Sequence, residues 1–211
     1  MITLQVRPDS PATDILDVVT EAAAILRRGG IVAYPTDTLY GLAVDPRNDE
    51  AVSRLYAAKG RDAGVPIPLI GASLEQIEAA AVMTDADRRL ARAFWPGPLT
   101  IVVAARTGLS SRIPAADGTI AVRVPANAVA VGLAAGLGSC ITATSANRSG
   151  QTAAATAVGV RAAFEDTVDL LIDSGATAGG LASTIVAIGP RGPRLVRAGA
   201  VPWERVLRSL E

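Results

Sequence analysis

The sequence predicts an α/β fold in a single domain that covers residues 1–211. Short apolar runs alternate with amphipathic helical patterns along the chain, and this alternation is typical of layered α/β folds. Half of the 211 residues are hydrophobic but only 3% are aromatic, so we expect a large core built from Ala, Val, Leu and Ile. No linker or internal repeat divides the sequence.

The hydrophobic period predicts the elements of the first half in order. Residues 14–28 carry apolar side chains at helical spacing and precede Gly29 and Gly30, which indicates a helix with a glycine stop. Residues 31–34 then form a short buried strand that ends at Pro35. The following elements are a helix at 50–59, an extended segment at 67–70 whose Pro68 points to an edge or a loop, and helices at 74–81 and 85–94.

The second half begins where Trp95, Pro96, Gly97 and Pro98 interrupt the pattern. The predicted elements after this break are strands at 99–105 and 119–124, a helix at 127–137, a strand at 139–144, a helix near 154–164, strands near 168–172, 184–188 and 194–197, and a helix at 202–210.

Composition excludes several classes of site. The chain has no histidine, which excludes His general bases and imidazole zinc ligands. Its one cysteine, Cys140, lies in an apolar run and is expected to be a buried small hydrophobe. Acidic and basic residues balance at 20 each, so strong nonspecific binding to nucleic acid is not expected. The sequence starts without a secretory signal and carries no bilayer-spanning run, which predicts a cytoplasmic protein without a membrane partner.

Lys59 is the only lysine among twenty basic residues, and it lies where a helical pattern gives way to Gly60 and Arg61. A compact ammonium on a flexible stem suits a phosphate as a point charge. A solvated helix end is the alternative interpretation. The sequence contains no P-loop and no GxGxxG turn after a strand, so any phosphate site must be of another kind.

Other polar residues lie beside predicted strands, where α/β scaffolds commonly bind ligands. Thr36 follows the strand at 31–34, and Ser145 and Asn147 follow the strand at 139–144. Period-two alternation places Thr119 and Arg123 on one strand face, and a buried arginine there requires an anion. Each feature also has a purely structural explanation as a turn, a helix cap or an ion pair.

Taken together, these segments resemble the YrdC/Sua5 family in its short, single-domain form, over nearly the whole chain. The segments that carry the resemblance are Tyr34 to Leu42, Lys59 to Arg61, Trp95 to Thr100, Val122 to Pro125, Ser145 to Gly150, Ser183 to Val186 and Arg197 to Ala200.

This resemblance implies an L-threonylcarbamoyladenylate synthase, a nucleotidyltransferase that makes threonylcarbamoyl-AMP and pyrophosphate from L-threonine, bicarbonate and ATP. The product supplies a downstream t6A transferase machinery that modifies position 37 of tRNAs reading ANN codons. The implied fold is a twisted sheet of parallel and antiparallel strands, flanked by helices, around a positively lined cavity. Direct tRNA binding is left open, and the neutral net charge predicts that it would be weak.

The resemblance also implies roles for individual residues. Lys59 and Arg61 are the implied catalytic cations. The implied threonine contacts are Thr36, Pro68, Arg123, Ala143 and Ser183, with Arg123 pairing the carboxylate. The implied ATP contacts are Lys59, Ala63, Thr119, Ser145, Asn147, Ala153 and Arg197.

The implied reaction needs neither histidine nor a protein nucleophile. Threonine's amine and bicarbonate give a carbamate, which attacks the α-phosphorus of ATP and expels pyrophosphate. Positioning and a positive field, with Mg²⁺ accompanying ATP, are sufficient for such a transfer.

Residues 62–70 depart from the family pattern, because they contain neither the Asn nor the His that many members have there. Two other classes of function stay open. One is a noncatalytic module that binds double-stranded RNA, and the other is a carbamoyl transferase-type domain. Assays of RNA affinity without ATP turnover, and of carbamoyl phosphate against bicarbonate plus threonine, would distinguish them.

Overall fold

Two mixed β-sheets form the centre of the structure, a computed structural model that describes residues 1–7, 10–62, 64–177 and 179–211. The helices are α1 (Ala12–Arg27), α2 (Asp49–Lys59), α3 (Leu74–Ala80), α4 (Asp85–Phe94), α5 (Ala128–Leu137), α6 (Ala157–Phe164) and α7 (Trp203–Arg208). The strands are β1 (Ile2–Gln5), β2 (Val32–Pro35), β3 (Tyr40–Ala43), β4 (Leu69–Ile70), β5 (Ala81–Val82), β6 (Leu99–Ala105), β7 (Thr119–Arg123), β8 (Ile141–Thr142), β9 (Thr144–Ser145), β10 (Leu170–Asp173), β11 (Thr184–Gly189) and β12 (Gly192–Arg197).

The first sheet has the strand order β1-β10-β2-β3-β9. Its first three strands are parallel, whereas β3 runs antiparallel to both of its neighbours. The helices α1 and α5 cover this sheet through an apolar cluster that includes Val19, Leu26 and Leu133. Strands β2 and β3 are buried along their whole length. The position of the turn that joins them is therefore held by two packed strands.

The second sheet has the strand order β12-β11-β6-β7-β4-β8, with β5 pairing beside β6. Its β11–β6 and β7–β4 pairs are parallel and the remaining pairs are antiparallel. The predicted mixed α/β architecture is therefore confirmed, and the strands are divided between two sheets.

The predicted strand at 139–144 is wrong as a single element. Ile141 pairs with Ile70 in the second sheet, whereas Thr144 pairs with Leu42 in the first. Ala143 lies between the two short strands, and its amide donates to the carbonyl oxygen of Pro68. This break brings the ends of both sheets together.

Several further boundaries differ from the sequence prediction for local reasons. The segment at 67–70 was expected at an edge or in a loop, but β4 lies between β7 and β8, because Pro68 precedes the strand. Ala81 is extended and pairs with Ala105 instead of continuing α3. Ala154 bonds to the backbone of Ala146 and Tyr40, so α6 starts only after its N-cap, Thr156. Strands β1, β3 and β5 were not predicted.

Helix α2 carries the lone lysine to its C-terminal end. The side chain of Asn48 caps its N-terminus by accepting from the amides of Glu50 and Ala51. The helix ends at Gly60, whose φ of 55° lies in the left-handed region that favours glycine. Lys59 is therefore the last helical residue, directly before the turn that contains Arg61.

Candidate functional site

A cavity of 510 Å³ lies where the two sheets meet, within the usual range for small-molecule sites. Its walls come from the β2–β3 turn, from β4, β6 and β7, from the break around Ala143, and from the segment before β11. Nine of the residues assigned by the family resemblance line it, namely Thr36, Arg61, Pro68, Thr119, Arg123, Ala143, Ser145, Ser183 and Arg197. Residues far apart in the sequence thus face one space.

A second cavity of 370 Å³ adjoins the first. Arg61, Val65 and Ser145 line both cavities. Lys59 and Asn147 line only the second one. Of the two assigned cations, Arg61 therefore faces both spaces, whereas Lys59 faces the second one.

The remaining two assigned residues are not in these walls. Ala153 belongs to the lining of neither cavity, although its neighbour Ala154 bonds to Tyr40 at the start of β3. Ala63 lies outside the described residues.

The charge of the large cavity's described lining comes from three arginines, Arg61, Arg123 and Arg197, with no acidic side chain among its members. Burial lowers the pKa of Arg61, and burial together with the nearby Arg123 lowers the pKa of Arg197. Lowered pKa values mean that the folded protein disfavours these charges, so an anion in the cavity would relieve the cost.

Thr36 builds the tight turn between β2 and β3. Its hydroxyl donates to the carbonyl oxygen of Leu39 at 2.6 Å and accepts from the amides of Thr38 and Leu39, both at 3.2 Å. These bonds fix the orientation of the turn at the cavity wall. They also use most of the hydrogen-bonding capacity of the hydroxyl.

Arg123 lies at the end of β7 and pairs with Asp37 from that same turn. The distance between its Nη1 and Asp37 Oδ2 is 3.0 Å, and the side chains are 11% and 19% exposed. Alternation along β7 points Thr119, Ala121 and Arg123 into the cavity, while Val122 is fully buried on the other face.

Ser183 and Arg197 form one hydrogen-bonded group on the β11–β12 side. The Ser183 hydroxyl lies 2.8 Å from Thr100 Oγ1. Arg197 Nη2 donates to the carbonyl oxygen of Ser183 at 2.8 Å and to its hydroxyl at 3.1 Å. Thr100 was not assigned a role from the sequence. It is the one polar residue of the apolar strand β6 and lines the cavity on the same side as Val102. That isolated polar position is the pattern from which a role at the site could have been predicted.

Lys59 is 3% exposed, and its ammonium contacts backbone oxygen atoms. It donates to the carbonyl of Ser145 at 2.5 Å and to that of Asn147 at 2.8 Å. Burial, and secondarily the charge of Arg61, lowers its pKa to about 8. The lysine therefore joins the end of α2 to the loop that carries Ser145.

Arg61 and Thr119 are held by neighbouring polar groups. Arg61 donates to Thr144 Oγ1 at 3.2 Å and to the carbonyl of Pro66 at 2.9 Å. The Thr119 hydroxyl donates to Asp117 Oδ1 at 2.7 Å. The hydroxyl of Ser145 donates to the side-chain oxygen of Asn147, so the two residues of this loop act as one polar unit.

Other candidate chemistry is sparse. Cys140 is buried, and burial raises the pKa of its thiol to about 12, which agrees with the expected core role. In the described ranges, no three His, Cys, Asp or Glu side chains cluster as metal ligands. No described helix has both the length and the apolar character needed to cross a bilayer.

Comparison with known proteins places the chain among related sequences and structures. The family model Sua5/YciO/YrdC, described as telomere recombination, matches residues 24–199. A threonylcarbamoyl-AMP synthase of Idiomarina loihiensis is 39% identical over 85% of this chain and 97% of its own length. The synthase of Pyrococcus abyssi is 37% identical over 88% of this chain, which spans 55% of that protein.

A solved structure extends the similarity to three dimensions. The crystal structure of P. abyssi Sua5 complexed with L-threonine superimposes with a TM-score of 0.91 at 35% identity. The match covers 99% of this chain and 61% of the other. The chain thus spans about three fifths of that structure.

Proposed function

This chain belongs to the Sua5/YciO/YrdC family, and from that membership we propose that it is an L-threonylcarbamoyladenylate synthase. Its substrates are L-threonine, bicarbonate and ATP, and its products are threonylcarbamoyl-AMP and pyrophosphate. The observation that carries the proposal is the convergence of nine assigned residues on one cavity whose described lining has three arginines and no acidic side chain. The relatives named threonylcarbamoyl-AMP synthase support the same activity.

The threonine site lies between the β2–β3 turn and β7. Arg123 binds the carboxylate, since its guanidinium faces the cavity beside Thr36. Ser183, which precedes β11 in the same sheet as β7, contacts the substrate beside Arg123, and Pro68 and Ala143 contribute backbone carbonyl groups. The complex of P. abyssi Sua5 with L-threonine supports this choice of amino acid.

The ATP site extends from Arg197 and Thr119 towards Ser145 and Asn147. Arg61 lines both cavities and is suitably placed to neutralise charge on the phosphates. Lys59 acts at the same place, with two of its three N–H groups already directed to backbone carbonyls. It both holds the loop of Ser145 and adds positive charge.

The reaction proceeds by positioning of the reactants. The amine of threonine attacks the carbon of bicarbonate, and loss of water leaves a carbamate. A carbamate oxygen then attacks the α-phosphorus of ATP, forming a P–O bond while pyrophosphate leaves. The cationic cavity stabilises the charge on the transferred group and on the leaving group.

Mg²⁺ enters as part of the ATP substrate. The described residues offer no carboxylate cluster for a resident ion, and Mg²⁺ in nucleotide sites is bound largely by substrate phosphates. The carbamoylated product then passes to a downstream t6A transferase machinery. Direct contact with tRNA is weak, because the chain has no net charge.

The 211 residues form one YrdC-like domain. Of the two apolar clusters of the described residues, the larger one contains buried residues of both sheets, from Ile31 to Val206, with Met1 and Leu210 packed against it. This continuity supports one folding unit.

Mass spectrometry of the product tests the proposal directly. The wild-type protein is incubated with ATP, L-threonine and labelled bicarbonate, and we expect threonylcarbamoyl-AMP that carries the label. Omitting threonine or bicarbonate, or supplying carbamoyl phosphate in place of both, should give no product. Arg197→Met should abolish the product, whereas Arg194→Met should not, because Arg194 is on the same strand and equally exposed but lies outside the cavity lining. RNA binding without turnover would contradict the proposal.

A further inference from the structure

The ion pair between Arg123 and Asp37 joins two elements that are 86 residues apart in sequence. One partner belongs to β7 and the other to the β2–β3 turn. Neither side chain is freely exposed, with 11% of Arg123 and 19% of Asp37 accessible. A pair in this environment is screened little by solvent, so it orients its partners more strongly than a surface pair would.

The bonding of Arg123 leaves much of its guanidinium free. A guanidinium has five N–H donors, and the described residues accept one hydrogen bond from it, through Nη1 to Asp37. The side chain nevertheless lines the large cavity. Its other donors are therefore available to a ligand there, in the fork geometry that suits a carboxylate.

Asp37 itself lies behind this receptor. Its neighbours Thr36 and Thr38 line the cavity, but Asp37 is not in the lining. Its Oδ2 contacts Arg123, while its Oδ1 is buried and has no hydrogen-bond partner among the described residues. Among the described residues, the carboxylate of Asp37 thus bonds only to Arg123, and Asp37 would affect a ligand indirectly, by orienting that arginine.

The positive charge of Arg197 explains why the orientation of Arg123 matters for binding. Arg197 lines the same cavity, and its pKa is lowered partly by the charge of Arg123. The two guanidinium groups therefore repel each other across a space that also receives phosphates in the proposed reaction. Without Asp37, Arg123 would be free to turn towards a phosphate.

We propose that Asp37 is a positioning residue that holds Arg123 as a receptor for the α-carboxylate of the amino-acid substrate and keeps it away from the phosphates. This inference rests on the proposed function, because it deepens the assignment of the threonine site. Its consequence is selectivity: by orienting Arg123, Asp37 strengthens the preference of the site for a carboxylate over a neutral amide at that position.

Calorimetric titration tests this selectivity without relying on turnover. L-threonine, L-threoninamide and inorganic pyrophosphate are titrated into the wild-type protein and into Asp37→Asn and Asp37→Ala. Asp37→Asn preserves the shape of the side chain and removes its charge. The test can be carried out with this variant alone if Asp37→Ala fails to fold. Asp166→Asn, which removes an exposed carboxylate elsewhere, is the matched control.

We expect wild type and Asp166→Asn to bind threonine more tightly than threoninamide. Both Asp37 variants should bind threonine about tenfold or more weakly, as for loss of a charged hydrogen bond, and the preference for the carboxylate should become clearly smaller than in wild type. Pyrophosphate should bind at least as tightly as to wild type. General damage to the site would instead weaken all three ligands.

The outcomes distinguish a failure of the proposed function from a failure of the role of Asp37. If the wild-type protein fails to bind threonine, the proposed function is wrong and the inference falls with it. If wild type binds threonine but the Asp37 variants retain its carboxylate preference, only the role of Asp37 is wrong. Equal loss of threonine and pyrophosphate binding in a folded Asp37→Asn protein would also overturn that role.

Discussion

The ammonium of Lys59 lies 2.5 Å from the carbonyl oxygen of Ser145. A second bond reaches the carbonyl of Asn147 at 2.8 Å, and the amide of Ser149 donates back to the Lys59 carbonyl at the same distance. The end of α2 and the loop at 145–149 are thus tied at three points. The lone lysine of the chain organises the loop that carries two of the proposed ATP contacts.

Replacing Lys59 by methionine should remove activity and retain the fold. Methionine fills a similar volume but cannot hold the two carbonyls or supply charge, so we expect roughly a hundredfold loss of threonine- and bicarbonate-dependent pyrophosphate release. The same loss is expected for Lys59→Ala. Circular dichroism and a thermal melt check that the fold is retained. Wild-type-like release would contradict a role for the lysine.

Arginine at position 59 tests whether the compact ammonium is required. The planar guanidinium is larger and cannot place a point charge between the two carbonyls at 2.5 and 2.8 Å. We therefore expect Lys59→Arg to resemble Lys59→Met in pyrophosphate release. Recovery of most of the activity would show that charge alone matters at this position.

The lowered pKa of Lys59 predicts a pH dependence of stability. Its pKa is 10.5 in a model peptide and about 8 in the folded protein. Between these values the unfolded chain binds more protons than the folded one, so the free energy of unfolding contributed by this group rises with pH. Urea unfolding at about pH 7.5 and about pH 9.5 should show wild type gaining stability relative to Lys59→Met. Parallel behaviour of the two proteins would argue against a buried, charged lysine.

The bonds between Ser183 and Arg197 predict that the two substrate sites are coupled. Arg197 donates to both oxygens of Ser183, so Ser183→Ala should weaken ATP binding as well as threonine binding. In a double-mutant cycle with Arg197→Met, the coupling free energy for ATP binding, measured by calorimetry, should be about 0.5–3 kcal/mol. Strictly additive effects would show that the two residues act separately.

Much of this site follows from local sequence. Alternation in β7 is enough to place Thr119 and Arg123 on one face, and the ends of strands are where such scaffolds expose polar groups. The position of Lys59 at a helix end follows from the glycine after it. These features depend on neighbours a few residues away.

The rest depends on contacts that are distant in sequence. The partner of Arg123 is in a turn 86 residues earlier, and nothing near Asp37 in the chain indicates that contact. The apolar run at 139–144 has no local signal for its break at Ala143, which is caused by pairing with two different sheets. The direction of the Lys59 ammonium, towards carbonyls of a loop 86 and 88 residues later, is equally non-local.

Chelation of Mg²⁺ should stop the reaction, and the amount of Mg²⁺ that restores it should depend on the ATP concentration. Since no acidic cluster for a metal occurs among residues 1–7, 10–62, 64–177 and 179–211, we expect Mg²⁺ to be required as the counter-ion of ATP. EDTA should abolish pyrophosphate release, and the Mg²⁺ concentration that restores half of it should rise with the ATP concentration. A requirement that stays constant and matches the protein concentration would indicate a resident metal.

Gly199 provides a steric test of the wall formed by Ser183. A Cβ at this position would lie 2.5 Å from both the Ser183 carbonyl carbon and the Thr184 amide nitrogen, and would also overlap the Ala182 carbonyl oxygen. The backbone cannot easily move away, because Ala200 donates to that same oxygen. Gly199→Ala should therefore destabilise the protein by about 1–3 kcal/mol and weaken threonine binding by displacing Ser183. Gly189→Ala, at the end of the same hairpin and with nothing within 4 Å of its added Cβ, should change neither property. Urea unfolding and calorimetry would measure both, and equal behaviour of the two variants would contradict the proposed dependence of the site on this close approach.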